Sequence, residues 1–183
     1  MTRYALSGGD PKSSWRRRSA GFSLLEFAVV SIVLSLVSLF FFDRLLTYQE
    51  MAEKTAAEIT AINMRTGLRY RVAEMLLHHQ ESKIAGLVGG NPVKWLDTLP
   101  PNYSGEISAP KWEDIPPGNW YFDVKEREIF YRVKKGRYFV PGPSGRQMLR
   151  FRITASLKPA ESDASILLAE GVTLTLVEQY KWF

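Results

Sequence analysis

From Phe22 to Phe42 the chain is apolar except for scattered serines and one carboxylate, Glu26. Twenty-one residues, rising ~1.5 Å each, reach across roughly 30 Å of hydrocarbon, so the pattern predicts a membrane-spanning helix. Past Phe42 the apolar positions thin to helical spacing. A buried stripe can be traced through Leu45, Ala52, Ile59 and Ile62, then Leu68, Val72, Met75 and Leu76, with a slip near Gly67. No proline stands between Pro11 and Pro92, and Glu50 and Lys54 are spaced i,i+4 in the favourable order. One helix from Phe22 to about Lys83 is therefore expected, roughly 90 Å long. Gly67 is a candidate bend, and Gly89-Gly90-Asn91-Pro92 should end the helix. A helix of that length outruns any compact domain the remaining residues can form, so half of it is expected to project.

Residues 91–118 carry six of the ten prolines and read mainly as loop. One short helix fits there, with Asn91 as cap, Pro92 in the first turn, and Trp95, Leu96 and Leu99 facing one way. Strand alternation follows. Trp120, Phe122 and Val124 alternate with Tyr121, Asp123 and Lys125, and after a charged turn come Ile129, Tyr131 and Val133. Leu149, Phe151, Ile153 and Ala155 mark a third strand; Val172, Leu174 and Leu176 mark a fourth. Four antiparallel strands with one apolar face need a cover, and the second half of the long helix supplies it. The expected fold is α+β, a lollipop whose helix packs its far half on the sheet.

Charge is unevenly placed. The 183-residue chain has a formal charge of +5, but residues 1–21 hold Arg3, Lys12, Arg16, Arg17 and Arg18 against Asp10 alone. The rest is close to neutral, so the basic balance belongs to the N-terminal segment and is not a nucleic-acid signal. Positive charge before the span predicts a cytoplasmic N-terminus and an exported bulk. The sequence has no cysteine, so an exported domain is held by packing alone. A secretory signal fits poorly, because the apolar run exceeds 7–15 residues and no small-x-small site follows Phe42.

An ionisable group inside an apolar span costs on the order of 3 kcal/mol on insertion scales, which makes Glu26 a functional candidate. Gly21-Phe22-Ser23-Leu24-Leu25-Glu26, behind the cluster Arg16-Arg17-Arg18, resembles the type IV pilin superfamily, which includes minor pilins and type II secretion pseudopilins. The residue match is confined to about 16–45; the expected long helix and sheet extend the likeness along the chain. The resemblance implies that a prepilin peptidase removes residues 1–21 by cutting between Gly21 and Phe22, and methylates the new amine of Phe22. It implies that Glu26 pairs with the amine of an adjoining subunit during assembly, so that partners are other pilin or pseudopilin subunits, an inner-membrane assembly platform and lipid. The implied location is a bacterial inner membrane, single pass, with the C-terminal domain periplasmic before it enters a filament. Residues 22–42 would be the membrane and filament-core half of the helix, 43–88 its exported amphipathic half, 89–118 a connecting loop and 119–183 the sheet. Ala20 stands before the glycine where a basic residue is commoner, which implies less efficient cleavage; the absence of a proline near Asp43, of a C-terminal cysteine pair and of a C-terminal aspartate cluster favours a minor pilin or another pseudopilin over either major subunit.

Other chemistry is weaker. His78-His79 are adjacent and so diverge by about 100° on a helix, which suits no zinc pair. Glu161 and Asp163 leave a weak calcium site open in the Pro159–Ser165 hairpin loop. Gly142-Pro143-Ser144-Gly145 is turn chemistry. Arg150 and Arg152 share a strand face, with Arg132 near, and either are solvated or meet an acidic partner. No nucleophile–base or paired-carboxylate arrangement emerges, so no enzyme, cofactor, metal or nucleic acid is expected. The alternative to a filament subunit is a single-pass anchored periplasmic binding or sensor domain.

Overall fold

The computed structural model describes residues 23–160 and 163–183, with side chains described outside 156–170. The protein is α+β: one long N-terminal helix, α1 (Leu24–Leu77), and a mostly antiparallel sheet. The chain divides between Asp43 and Arg44 into two compact units. In the first, α1 carries a window of 18 residues with mean hydropathy 2.5, none of it buried. The length and composition suit a single membrane span; a core helix or a signal sequence would also meet them. The hydroxyls of Ser35 and Ser38 donate to the carbonyls of Ser31 and Leu34, at 2.8 and 2.7 Å. Their polarity is thereby satisfied within the helix, as hydrocarbon requires.

In the second unit a five-stranded sheet has the order β1-β2-β3-β5-β6, from β1 (Tyr103–Ile107), β2 (Trp120–Asp123), β3 (Glu128–Arg132), β5 (Met148–Ala160) and β6 (Asp163–Leu176). β4 (Phe139–Val140) and β7 (Lys181–Trp182) form a separate pair. The four strands read from alternation are present. The expected purely antiparallel sheet is corrected by β1, which joins as a parallel edge beside β2. β1 is short, interrupted by a bulge between Tyr103 and Glu106, and holds Gly105 at φ 100°, so its period-2 signal is weak. The 89–118 segment is otherwise mainly loop, as expected. It also holds 3-10 helices at Pro92–Trp95 and Trp112–Asp114.

The registers Trp120↔Tyr131↔Leu149 and Phe122↔Ile129↔Phe151 place six apolar side chains on one face. They share a core with Ala57, Ala61, Met64, Leu68 and Met75 of α1. This corrects the expected stripe: Leu45, Ala52, Ile59, Ile62 and Leu76 are exposed, while Leu68 and Met75 are buried as expected. The helix meets the sheet through Ala57, Ala61, Met64, Leu68 and Met75, and Ile59 and Ile62 turn away. On the opposite face Tyr121 and Phe130 stack, 5.6 Å apart, in a second cluster under Ile115 and Trp112. β2 and β3 are therefore covered on both faces.

Gly67 is buried within unbroken helix. A methyl group there would lie 2.7 Å from the Trp95 carbonyl oxygen, so its role is close approach to the Pro92–Trp95 turn. That turn is capped as expected by Asn91, whose Oδ1 accepts from the Val93 amide at 3.1 Å. Val93, not Leu99, is its buried anchor. The Asn91 amide donates to the Tyr103 hydroxyl (2.8 Å) and to Glu106 (2.9 Å), tying the turn to β1. The Asn91 hydrogen bond, and then the Lys94 ammonium, hold the Glu106 carboxyl below its ordinary range.

The helix stops at Leu77 rather than at Lys83. The Gln80 amide donates to the Met75 carbonyl (2.8 Å) and the His79 amide to that of Leu76 (3.2 Å), with His79 at φ 51°. This is a left-handed cap of the Schellman type, built on a histidine where glycine is usual.

Two carboxylates one turn apart attach α1 to β3 and the loop after it and, through Glu50, to Trp182 of β7. Glu50, only 2% exposed, accepts from the Tyr138 amide (2.8 Å), the Arg137 amide (3.2 Å) and the Trp182 indole N–H (3.0 Å). Glu53 accepts from the Lys134 amide (2.6 Å), the Lys135 amide (2.9 Å) and the Tyr131 hydroxyl (2.9 Å). Burial, reinforced by the Glu53 charge, pushes the Tyr131 hydroxyl well up, which keeps it a donor.

Two substitutions test this packing. Helix propensity alone makes Gly67→Ala stabilising by about 1 kcal/mol; the contact with Trp95 reverses the sign, to a net loss of about 1–3 kcal/mol in denaturant unfolding. Glu50→Ala strands three donors and should cost about 3 kcal/mol or more, measured the same way.

Candidate functional site

Of the residues singled out for processing and assembly, Arg16, Arg17, Arg18, Gly21 and Phe22 lie outside the described residues. Glu26 lies within them, in the first turn of α1. The local sequence Ser23-Leu24-Leu25-Glu26 has the S-x-x-E spacing of a capping box, and the box is closed. The Ser23 amide donates to Glu26 Oε2 at 2.9 Å, and the Glu26 amide donates to Ser23 Oγ at 3.1 Å. Two of the four orphan amides at the helix start are thereby satisfied, and the carboxylate faces the positive end of the helix dipole. The sequence reading weighed Glu26 as an intramembrane charge and missed Ser23; the i,i+3 Ser–Glu spacing at the mouth of an apolar run is the signal that finds it.

The carboxylate remains exposed while it does this. Only one of its oxygens is used in the cap, which leaves lone pairs on the other for an incoming donor. From Leu24 to Phe42 the exposed side chains include Phe27, Val29, Ile32, Val33, Leu36 and Phe40, so the surface on one side of Glu26 is apolar. A charge-assisted bond formed there is worth more than one in water.

The arginines of the sheet have their acid within the chain. Glu128, buried, binds Arg150 through Oε2 at 2.7–2.8 Å and Arg152 through Oε1. Arg150 also approaches Glu178 at 3.6 Å. Arg132 donates to the carbonyls of Trp112 and Ile115 and lies 4.4 Å from the Trp112 ring centroid. These contacts explain the cluster without an acidic partner. Glu178 is held below its ordinary range chiefly by the Ser144 amide. That bond organises the Gly142–Gly145 turn, which the Gly145 amide closes onto the Gly142 carbonyl at 3.0 Å. His78 and His79 are exposed at the helix end. Glu161 and the side chain of Asp163 lie outside what is described.

Comparison with known proteins finds no match among protein-family models, curated proteins or solved structures.

Removing the capping hydroxyl tests the geometry. Ser23→Ala should weaken the first turn by about 1 kcal/mol, seen in detergent micelles as roughly fivefold faster hydrogen exchange at the Glu26 amide.

Proposed function

We propose that this chain is a structural subunit of a type IV pilus-like or type II secretion pseudopilus filament. One observation carries the reading. Glu26 is the sole charge between Phe22 and Phe42, stands fifth counting from Phe22, and opens a helix that continues unbroken to Leu77. A prepilin peptidase would cut between Gly21 and Phe22, leaving a methylated amine on Phe22. The subunit waits in the inner membrane with its N-terminus cytoplasmic and its folded unit periplasmic, giving the lollipop layout. It then passes to the assembly platform and joins other subunits. There the Glu26 carboxylate of one subunit accepts from the terminal amine of the next, relieving two desolvation costs together. A wrong axial register leaves both charges unpaired, so the pair sets the stagger. The apolar residues that lipid solvates before assembly pack on neighbouring helices afterwards.

The capping box favours a second reading. If Glu26 serves only to start the helix, the chain is a single-pass anchored periplasmic binding or sensor domain with an intact N-terminus. Glutamine separates the two, because it fills the same capping position but carries no charge. Under the filament reading, mass spectrometry finds a chain starting at methylated Phe22, and Glu26→Gln lowers incorporation by about a hundredfold or more, the cost of leaving a buried amine unpaired. An intact Met1 in cells with active peptidase supports the anchor reading instead, and normal incorporation of Glu26→Gln overturns the role given to the Glu26 charge.

A further inference from the structure

Between the 3-10 helix Trp112–Asp114, the end of β3 and the residues before β5 lies a cavity of about 420 Å³. Small-molecule sites run to roughly 300–1,000 Å³. Arg132, Lys134 and Arg146 line the cavity together with Trp112, and none of its lining residues is acidic. Glu113 and Asp114, next to Trp112 in sequence, are exposed and do not line it. Arg150 and Arg152 have Glu128, but among the described residues neither Arg132, Lys134 nor Arg146 forms an ion pair. Arg146 also borders the cavity that holds Asp123, Glu126 and Glu128, without pairing with them.

Local bonds fix where these charges sit. Arg132 Nη1 donates to the Trp112 carbonyl at 2.8 Å and to that of Ile115. The Arg132 guanidinium lies 4.4 Å from the Trp112 ring centroid, and that of Arg146 lies 5.6 Å from the same ring. Carbonyls and a ring orient a guanidinium without cancelling its charge. Arg132 is half-buried, where a charge without a counter-charge is costly. Its Nε and Nη2, which carry three of the five N–H donors of a guanidinium, have no partner among the described residues and are not sealed from solvent. That edge can hold two oxygens of one anion side by side. The surrounding backbone is tied. The Gly118 amide donates to the Arg132 carbonyl (2.7 Å), the Val133 amide to the Gln147 carbonyl (3.0 Å) and the Lys134 amide to Glu53 (2.6 Å). A preformed site loses little to ordering on binding.

We propose that this cavity binds a phosphate group through Arg132, Lys134 and Arg146. A carboxylate brings a single negative charge, whereas a phosphate monoester brings about −1.5 to −2 and three strong acceptor oxygens, a better match to three cations. The site lies wholly within the second unit, so it depends neither on the membrane span nor on filament assembly.

The test is calorimetry on full-length protein in maltoside micelles, which contribute no phosphate. Inorganic phosphate is titrated in at fixed ionic strength and about pH 8, where it is a dianion. Three charge-assisted contacts, each worth about tenfold or more, give an expected Kd of about 1 mM or tighter. Lys134→Gln and Arg146→Gln, at exposed positions, should each weaken binding about tenfold and leave the unfolding midpoint unchanged. Lys83→Gln, exposed and outside the cavity, should leave binding unchanged. The Arg132 Nε–H resonance should shift in step with the heat. Glycerol 3-phosphate binding as well as inorganic phosphate assigns the cavity to phosphate esters; binding of inorganic phosphate alone assigns it to the free ion, and either result upholds the site. Absence of saturable binding, or an equal loss in Lys83→Gln, overturns the proposal. Malonate, a dianion of carboxylates, binding as tightly as phosphate overturns it too.

Discussion

The buried carboxylate of Glu50 holds the second unit together. Ionised in the interior it would be costly, and what offsets the cost is a ring of N–H donors from Arg137, Tyr138 and Trp182. Three consequences follow. The donors come from the loop before β4 and from β7, so the short β4–β7 pair is fixed in place. Trp182 is drawn into the core, where its ring meets Phe139 edge-on at 5.3 Å. The rotation of α1 is also set, because Glu50 and the line Ala57, Ala61, Met64, Leu68 face inward together. Glu53 repeats the device one turn later on the neighbouring amides.

The two halves of the helix differ in surface. Before Asp43 its side chains are exposed and apolar, with Ser35 and Ser38 bonded back to the helix and the first turn closed by Ser23 and Glu26. After Arg44 it has one buried line and an outer face. No proline or break marks the change. The transition is made by side chains alone, from apolar residues all round to a single inward stripe. A carboxylate at the start of such a helix is tolerable because the helix dipole and the Ser23 amide meet it. The proposed assembly uses the remaining capacity of that group.

Much of this was legible in the sequence where period and length speak together. The apolar run, the continuous helix and the four alternating strands were readable, since Trp120, Phe122, Ile129, Tyr131, Phe151 and Ile153 alternate over several residues. The phase of the buried stripe is not legible from Ile59 and Ile62, because Glu50, Ala57, Ala61 and Gly67 share the buried line with Met64, Leu68 and Met75. Hydrophobicity alone does not pick out a buried glutamate, alanine or glycine. β1 was hidden by Gly105 and by the prolines around it, and a parallel edge strand has no hairpin turn to announce it. The stop at Leu77 was missed because histidine rarely takes the left-handed position that ends the helix. At the candidate site the charge of Glu26 was plain, but its bond to Ser23 was overlooked.

The functional account reduces to where that carboxylate points once subunits meet. Solid-state NMR on fibres assembled from mixed labels, with 13C at Glu26 in one population and 15N at the terminal amine in the other, measures it directly. The account predicts a contact between different copies within about 4 Å, the reach of an ion pair. A carboxylate still bonded only to its own Ser23, with no intermolecular 15N contact, would contradict it.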